Sequence, residues 1–165
     1  MSTPVPAPES RSAALRRQLA LQPHPEGGWY REVFRSACTV VPADGRGARP
    51  GLTSIDFLLC RGEFSAWHRV QSDEVWHLLE GESLTLWLLP PGLGCVTKVA
   101  LTATELRSHV VPANWWQAAE PLGDFAYCGA TVGPGFDFAD FAFGRDDELL
   151  IAALIQLAPE LQRLL

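Results

Sequence analysis

Two side chains able to move a proton or hold a cation, His68 and Glu74, flank the short polar turn Gln71-Ser72-Asp73 in a chain of 165 residues. An imidazole titrating near neutrality can take a proton from carbon or oxygen, and a carboxylate beside it can orient the ring. The same pair offers two of the N and O donors a divalent metal needs, of which three usually come from protein. Tyr127 is a phenol able to return a proton to the substrate. On the segment after the turn, Glu74 alternates with Trp76 and Leu78, so these three share one face of a strand, with Val75, His77 and Leu79 on the other. His77 is therefore a third ligand only if a bulge intervenes. Asp56 interrupts an apolar run, on the same side as Ser54 and Leu58. A carboxylate there must be paired, neutral, in solvent or in a pocket. Glu26, in Pro25-Glu26-Gly27-Gly28, either lines a pocket mouth or is a solvated carboxylate in a tight turn.

Those residues need strands to carry them, and the chain supplies many short ones. Gly62 to Gly81 reads as two strands around the polar turn, so that in a closed barrel His68 and Glu74 converge inside. Before it, Ser10 or Ser12 caps a short helix running to Leu21, with Leu15 and Leu19 on one face, and Pro23 stops it. Trp29 to Val41 alternates as a strand, Pro42 to Gly51 is an exposed loop or hairpin, and Leu52 to Cys60 is the next strand. After it, Ser83 to Leu89 pairs with Cys95 to Leu101 across Pro90-Pro91-Gly92. Pro112-Ala113-Asn114 turns into a strand from Trp115, and Phe125 to Val132 follows. Short strands at near-regular spacing predict an all-β sandwich or barrel. At the end, Asp146-Asp147-Glu148 starts a helix whose stripe of Leu149, Leu150, Ala153, Leu154, Leu157 and Leu161 packs on the sheets, divided by Pro159.

The central stretch resembles the first motif of the cupin superfamily, fitted here by Gly62, His68, Val70, Glu74 and Gly81. The motif's second metal-binding His is Val70. Val111 to Gln117 resembles the second motif, with Asn114 for its Gly and Gln117 for its His, so two of four metal ligands remain. Pro23-His24-Pro25-Glu26-Gly27-Gly28, Ser72-Asp73-Glu74-Val75-Trp76-His77 and Gly133-Pro134-Gly135-Phe136-Asp137-Phe138-Ala139-Asp140-Phe141 are similar to blocks of the small type-five cupin family. The resemblance spans residues 20 to 145. It implies a cupin-type β jelly-roll barrel (a double-stranded β-helix) with short terminal helices, a ligand pocket and a homodimer. A tyrosine is expected near Asp56, and the chain lacks it. Gln117 then anchors a ligand beside Trp76, or is a weak metal ligand through its carbonyl.

Composition bounds the rest. A net charge of -6 and no basic run exclude a general nucleic-acid or anionic-membrane binder. No apolar run spans a bilayer and no secretory segment opens the chain, so a cytoplasmic location is expected. Cys38, Cys60, Cys95 and Cys128 are read as reduced and mostly buried thiols. Residues 1–10 are expected to form a disordered tail, and residues 11–165 one cupin domain. The function expected is an isomerase or epimerase acting on a carbohydrate-like or nucleotide-like ligand, with His68 as base, Glu74 orienting it and Tyr127 as acid. Trp76, Gln117, Ser54, Asp56 and Glu26 contact the ligand. The alternatives are a metal-dependent oxygenase or lyase using His68 and Glu74, or a non-catalytic binder. A divalent metal is the cofactor left open, and no nucleotide cofactor is expected.

Overall fold

The computed structural model describes residues 9–165, so most of the expected tail lies outside the described residues. Ser10 caps α1 (Arg11–Gln18), its hydroxyl accepting from the Ala13 N–H at 3.2 Å. The helix ends earlier than Leu21, because Ala20 takes a left-handed φ of 51°. Next come β1 (Gln22–Pro23) and β2 (Trp29–Arg35), the latter shorter than expected. The segment that follows forms a small hairpin, β3 (Thr39–Val40) with β4 (Arg49–Pro50). The central strands are β5 (Thr53–Cys60), β6 (Ser65–Val70), β7 (Asp73–Gly81) and β8 (Ser83–Leu89). They lead to β9 (Thr97–Thr102), β10 (Ser108–Val111), β11 (Trp116–Pro121) and β12 (Phe125–Gly133). β13 (Phe141–Phe143) and α2 (Glu148–Leu157) close the order, with a 3-10 turn over Pro159–Leu164 behind Pro159.

The strands form a jelly-roll sandwich of two antiparallel sheets. One has the order β1-β2-β5-β12-β7-β10, the other β13-β6-β11-β8-β9. The expected closed barrel is corrected here: no ladder joins the two sheets, so the pocket lies between facing sheets rather than inside a cylinder. Period-two alternation fills the space between them. Trp76 and Leu78 from β7, Leu84, Leu86 and Leu88 from β8 and Phe57 and Leu59 from β5 are buried in one cluster. On β7 the expected faces hold, with Glu74, Trp76 and Leu78 buried and His77 and Leu79 exposed.

Two further layers cover the outer faces. Leu150, Leu154, Leu161 and Leu164 bury Trp67, Leu89 and Trp116 on the outside of the five-stranded sheet. Leu149 and Leu157, counted into that apolar stripe, instead face solvent. Leu15 and Leu21 do the same for Leu58 on the six-stranded sheet. All four cysteines are free, but only Cys128 is buried, which corrects the mostly buried expectation. Among the described residues no helix is long and apolar enough to cross a membrane.

Candidate functional site

The open end of the sandwich holds a pocket of about 280 Å³ where β2, β5, β6, β7 and β12 meet the segment before β13. His68, Glu74, Glu26 and His24 line it, and three of the four, all but His24, are buried. The first two come from facing sheets, His68 on β6 and Glu74 on β7, each from the inward-facing row of its strand. Glu26 arrives by loop. Its carbonyl accepts from the Ala66 N–H at 2.8 Å, which ties the loop to the start of β6. Gly27, at a φ of 109°, lets the chain pass so close that a Cβ would collide with the Phe64 carbonyl. The loop is thus pressed inward, and Glu26 is 7 % exposed rather than solvated.

The tautomer of His68 follows from its partners. Nδ1 lies 2.7 Å from the Ala66 carbonyl oxygen, which can only accept, so Nδ1 carries the hydrogen. Glu26 Oε2 stands 3.3 Å from the same nitrogen. Nε2, on the other side of the ring, makes no hydrogen bond among the described residues and keeps its lone pair. Burial lowers the His68 pKa, against the opposing pull of Glu74, so the ring is neutral at pH 7. Phe141 stacks on it, with centroids 5.4 Å apart and planes 18° off parallel.

The carboxyl groups are displaced the other way. Burial pushes Glu74 up to about 7, with His68 and Gln117 pulling it down and Glu26 adding to the rise. Burial likewise raises Glu26, which His24 and the Ser65 hydroxyl, donating at 2.8 Å, partly offset. His24 is lowered by burial, and its Nδ1 accepts from the Glu26 N–H at 3.3 Å, so it too is a neutral ring. Two neutral imidazoles and two carboxyl groups that ionise late therefore share one enclosed space.

The expected residues divide between this space and elsewhere. His68, Glu74 and Glu26 line the pocket; Trp76 and Gln117 stand behind it. The Trp76 indole donates to Gln117 Oε1 at 2.9 Å, and the Gln117 amide donates to Glu74 Oε2 at 2.6 Å. Ser54, Asp56 and Tyr127 point out of the other face of the six-stranded sheet, because alternation on β5 and β12 gives the pocket Thr53, Ile55, Ala130 and Val132 instead. There the Tyr127 hydroxyl donates to Asp56 Oδ1 at 2.7 Å, and Arg31 donates to Oδ2 at 2.6 Å. Tyr127 is raised to about 12, by burial first and Asp56 second. It is a structural phenol, and the phenol on the pocket wall is Tyr30. Sequence reasoning also missed His24, Arg35 and the aromatic rim of Phe136, Phe138 and Phe141. Their signal lay in the Pro-His-Pro-Glu block and in the closely spaced phenylalanines that lead into β13.

The donors do not fit a resident metal. Val70 lines the pocket where an ordinary cupin has its second His, and the Gln117 carbonyl is taken by Trp76. Among the described residues no group of three or more His, Cys, Asp or Glu is placed to hold an ion.

The family model described as cupin superfamily (DUF985) matches residues 13–144, and the chain belongs to that family. It is similar to a solved protein of Shewanella oneidensis, at 31% identity over 94% of this chain and 98% of that one, with a TM-score of 0.77. A hypothetical protein from Leishmania major gives 29% identity over 89% and 92% of the two chains, with a TM-score of 0.76. Oxalate decarboxylase from Bacillus subtilis shares the fold at 15% identity and a TM-score of 0.57, over 87% of this chain and 36% of that chain. No match was found among the curated proteins.

Proposed function

We propose that the pocket is the active site of an isomerase or epimerase that moves a proton on a small carbohydrate-like ligand. The observation that supports this best is His68: a buried, neutral imidazole whose Nδ1 is held by Ala66 and Glu26, with the Nε2 lone pair left to the pocket. Nε2 takes the proton from a carbon next to a carbonyl. The electron pair left on that carbon moves onto the carbonyl oxygen, giving an enediol(ate). Glu74, protonated in part near pH 7 because burial holds it at about 7, donates to that oxygen. Return of that proton from the imidazolium to the neighbouring carbon, with the hydroxyl on the first carbon giving its proton to the Glu74 carboxylate, isomerises the ligand. Return to the other face of the first carbon, with Glu74 recovering its proton from the oxygen it protonated, epimerises it. Glu26 supports the imidazolium formed in between. The role expected of Glu74, orienting His68, is thus better matched by Glu26, and the acid role expected of Tyr127 by Glu74.

A metal-dependent oxygenase or lyase finds less support, because Gln117 is committed to Trp76 and Glu74. The test is incubation of the full chain with free aldoses and ketoses in deuterium oxide, read by proton NMR. Loss of a carbon-bound hydrogen signal with wild type, and none with His68→Ala, is the expected result. Equal exchange by the two proteins overturns the assignment.

A further inference from the structure

At the pocket mouth stands one ion pair, Glu32 with Arg35, both half-exposed. Arg35 is the single Lys or Arg among the lining residues, against four carboxyl groups, Glu26, Glu32, Glu74 and Asp137. In a regular strand Glu32 and Arg35, three apart, would face opposite ways. A register shift of β2 against β5 between Glu32 and Phe34 turns them to the same side. All three guanidinium nitrogens of Arg35 then donate within the protein. Nε reaches Glu32 Oε1 at 3.0 Å, Nη2 reaches Oε2 at 2.6 Å, and Nη1 reaches the Phe136 carbonyl at 3.3 Å.

We propose that Glu32 is a specificity determinant that closes this pocket to phosphorylated ligands, so that the site takes an uncharged, monosaccharide-sized polyhydroxy ring. The inference rests on the pocket being the ligand site, as in the proton-transfer reading. Phosphate recognition needs a free guanidinium fork, an ammonium or the N–H groups of a helix start. Here the Nε and Nη2 fork of Arg35 is occupied by Glu32, so a phosphate binding at Arg35 competes with that carboxylate and sits beside it and Asp137. A neutral ring meets no such opposition. Its hydroxyls donate to the carboxyl groups and to His68 Nε2, and its C–H face lies on the phenyl rings of the rim. Phe136, Phe138 and Phe141 pack edge to face there, and Phe138 is 60% exposed. The volume of about 280 Å³ suits one sugar ring and not a nucleotide sugar.

The test is calorimetric titration of the full chain with D-glucose, D-galactose, D-mannose and D-xylose, and with glucose 6-phosphate, mannose 6-phosphate and UDP-glucose. Wild type is expected to saturate with at least one free sugar below about 50 mM and to bind its phosphate ester at least about tenfold more weakly. Glu32→Ala, and Glu32→Gln as a variant of native volume, should bind the phosphate esters at least about tenfold tighter than wild type. Adding Arg35→Ala should cancel that gain. A phosphate ester or UDP-glucose preferred by wild type, no gain in either Glu32 variant, or no saturation by any free sugar overturns the inference. Sugar binding without hydrogen exchange refutes the proton-transfer reading and leaves the specificity inference standing.

Discussion

The Gln117 side-chain amide donates to Glu74 Oε2 across 2.6 Å, and its oxygen accepts from the Trp76 indole at 2.9 Å. The amide that stands where a metal-binding His is expected is therefore a spacer that orients a buried carboxyl group. Removing it leaves the buried Trp76 indole N–H without its acceptor and Glu74 without its donor. Gln117→Ala should lower stability by about 2–4 kcal/mol in urea unfolding. A loss under about 0.5 kcal/mol would mean that the chain Trp76-Gln117-Glu74 contributes nothing.

Glu74 gives the fold a pH dependence of defined sign. Below pH 4.5 both the folded and the unfolded chain hold its proton, and Glu74 has no effect on stability. Between 4.5 and about 7 the unfolded chain ionises while the folded one resists, so stability falls as pH rises through that window. A carboxyl moved from 4.5 to about 7 costs the folded state about 3 kcal/mol once both forms are ionised. Glu74→Gln keeps an acceptor for Gln117 and removes the charge. It should be more stable than wild type at pH 8 by up to about 3 kcal/mol and no more stable at pH 4.5. Parallel stability curves for the two proteins would refute the late ionisation of Glu74.

Tyr127 anchors Asp56 outside the pocket, so its hydroxyl contributes to the fold and not to turnover. Tyr127→Phe should cost about 1–2 kcal/mol in urea and leave hydrogen exchange on sugars within about twofold of wild type. A tenfold loss of exchange at unchanged stability would return Tyr127 to the chemistry.

What the sequence made legible was what repeats at short range. The β7 face of Glu74, Trp76 and Leu78, the αL turn at Asn114 with its φ of 66°, and the buried part of the α2 stripe, Leu150 and Leu154, all follow from local spacing. The wrong placements share one cause. The chemistry of Tyr127 and Asp56 suits a pocket, but which face of β5 and β12 turns inward is set by partners far along the chain. The register shift that brings Glu32 beside Arg35 leaves no mark in composition, and neither does the loop that seats Glu26 behind His68. Sheet closure was equally hidden, since alternation is the same in a barrel and in a sandwich.

If no resident metal shapes the pocket, chelation leaves the fold alone. Dialysis against EDTA should keep the melting temperature within about 1 °C of the untreated protein. A metal bound near saturation contributes about 3 kcal/mol, a fall of roughly 6–12 °C on removal in a chain of this size. A fall of that size would restore the metal-dependent reading.

The central claim is a neutral His68 with its hydrogen on Nδ1 and a lone pair on Nε2, and imidazole nitrogen NMR of 15N-labelled protein reads both atoms directly. At pH 7.5 the account predicts a protonated, pyrrole-type Nδ1 and a bare, pyridine-type Nε2, with His68→Ala assigning the signals and protonation at lower pH than an ordinary imidazole. A hydrogen on Nε2, or an imidazolium at pH 7.5, would contradict it and leave the pocket without its base.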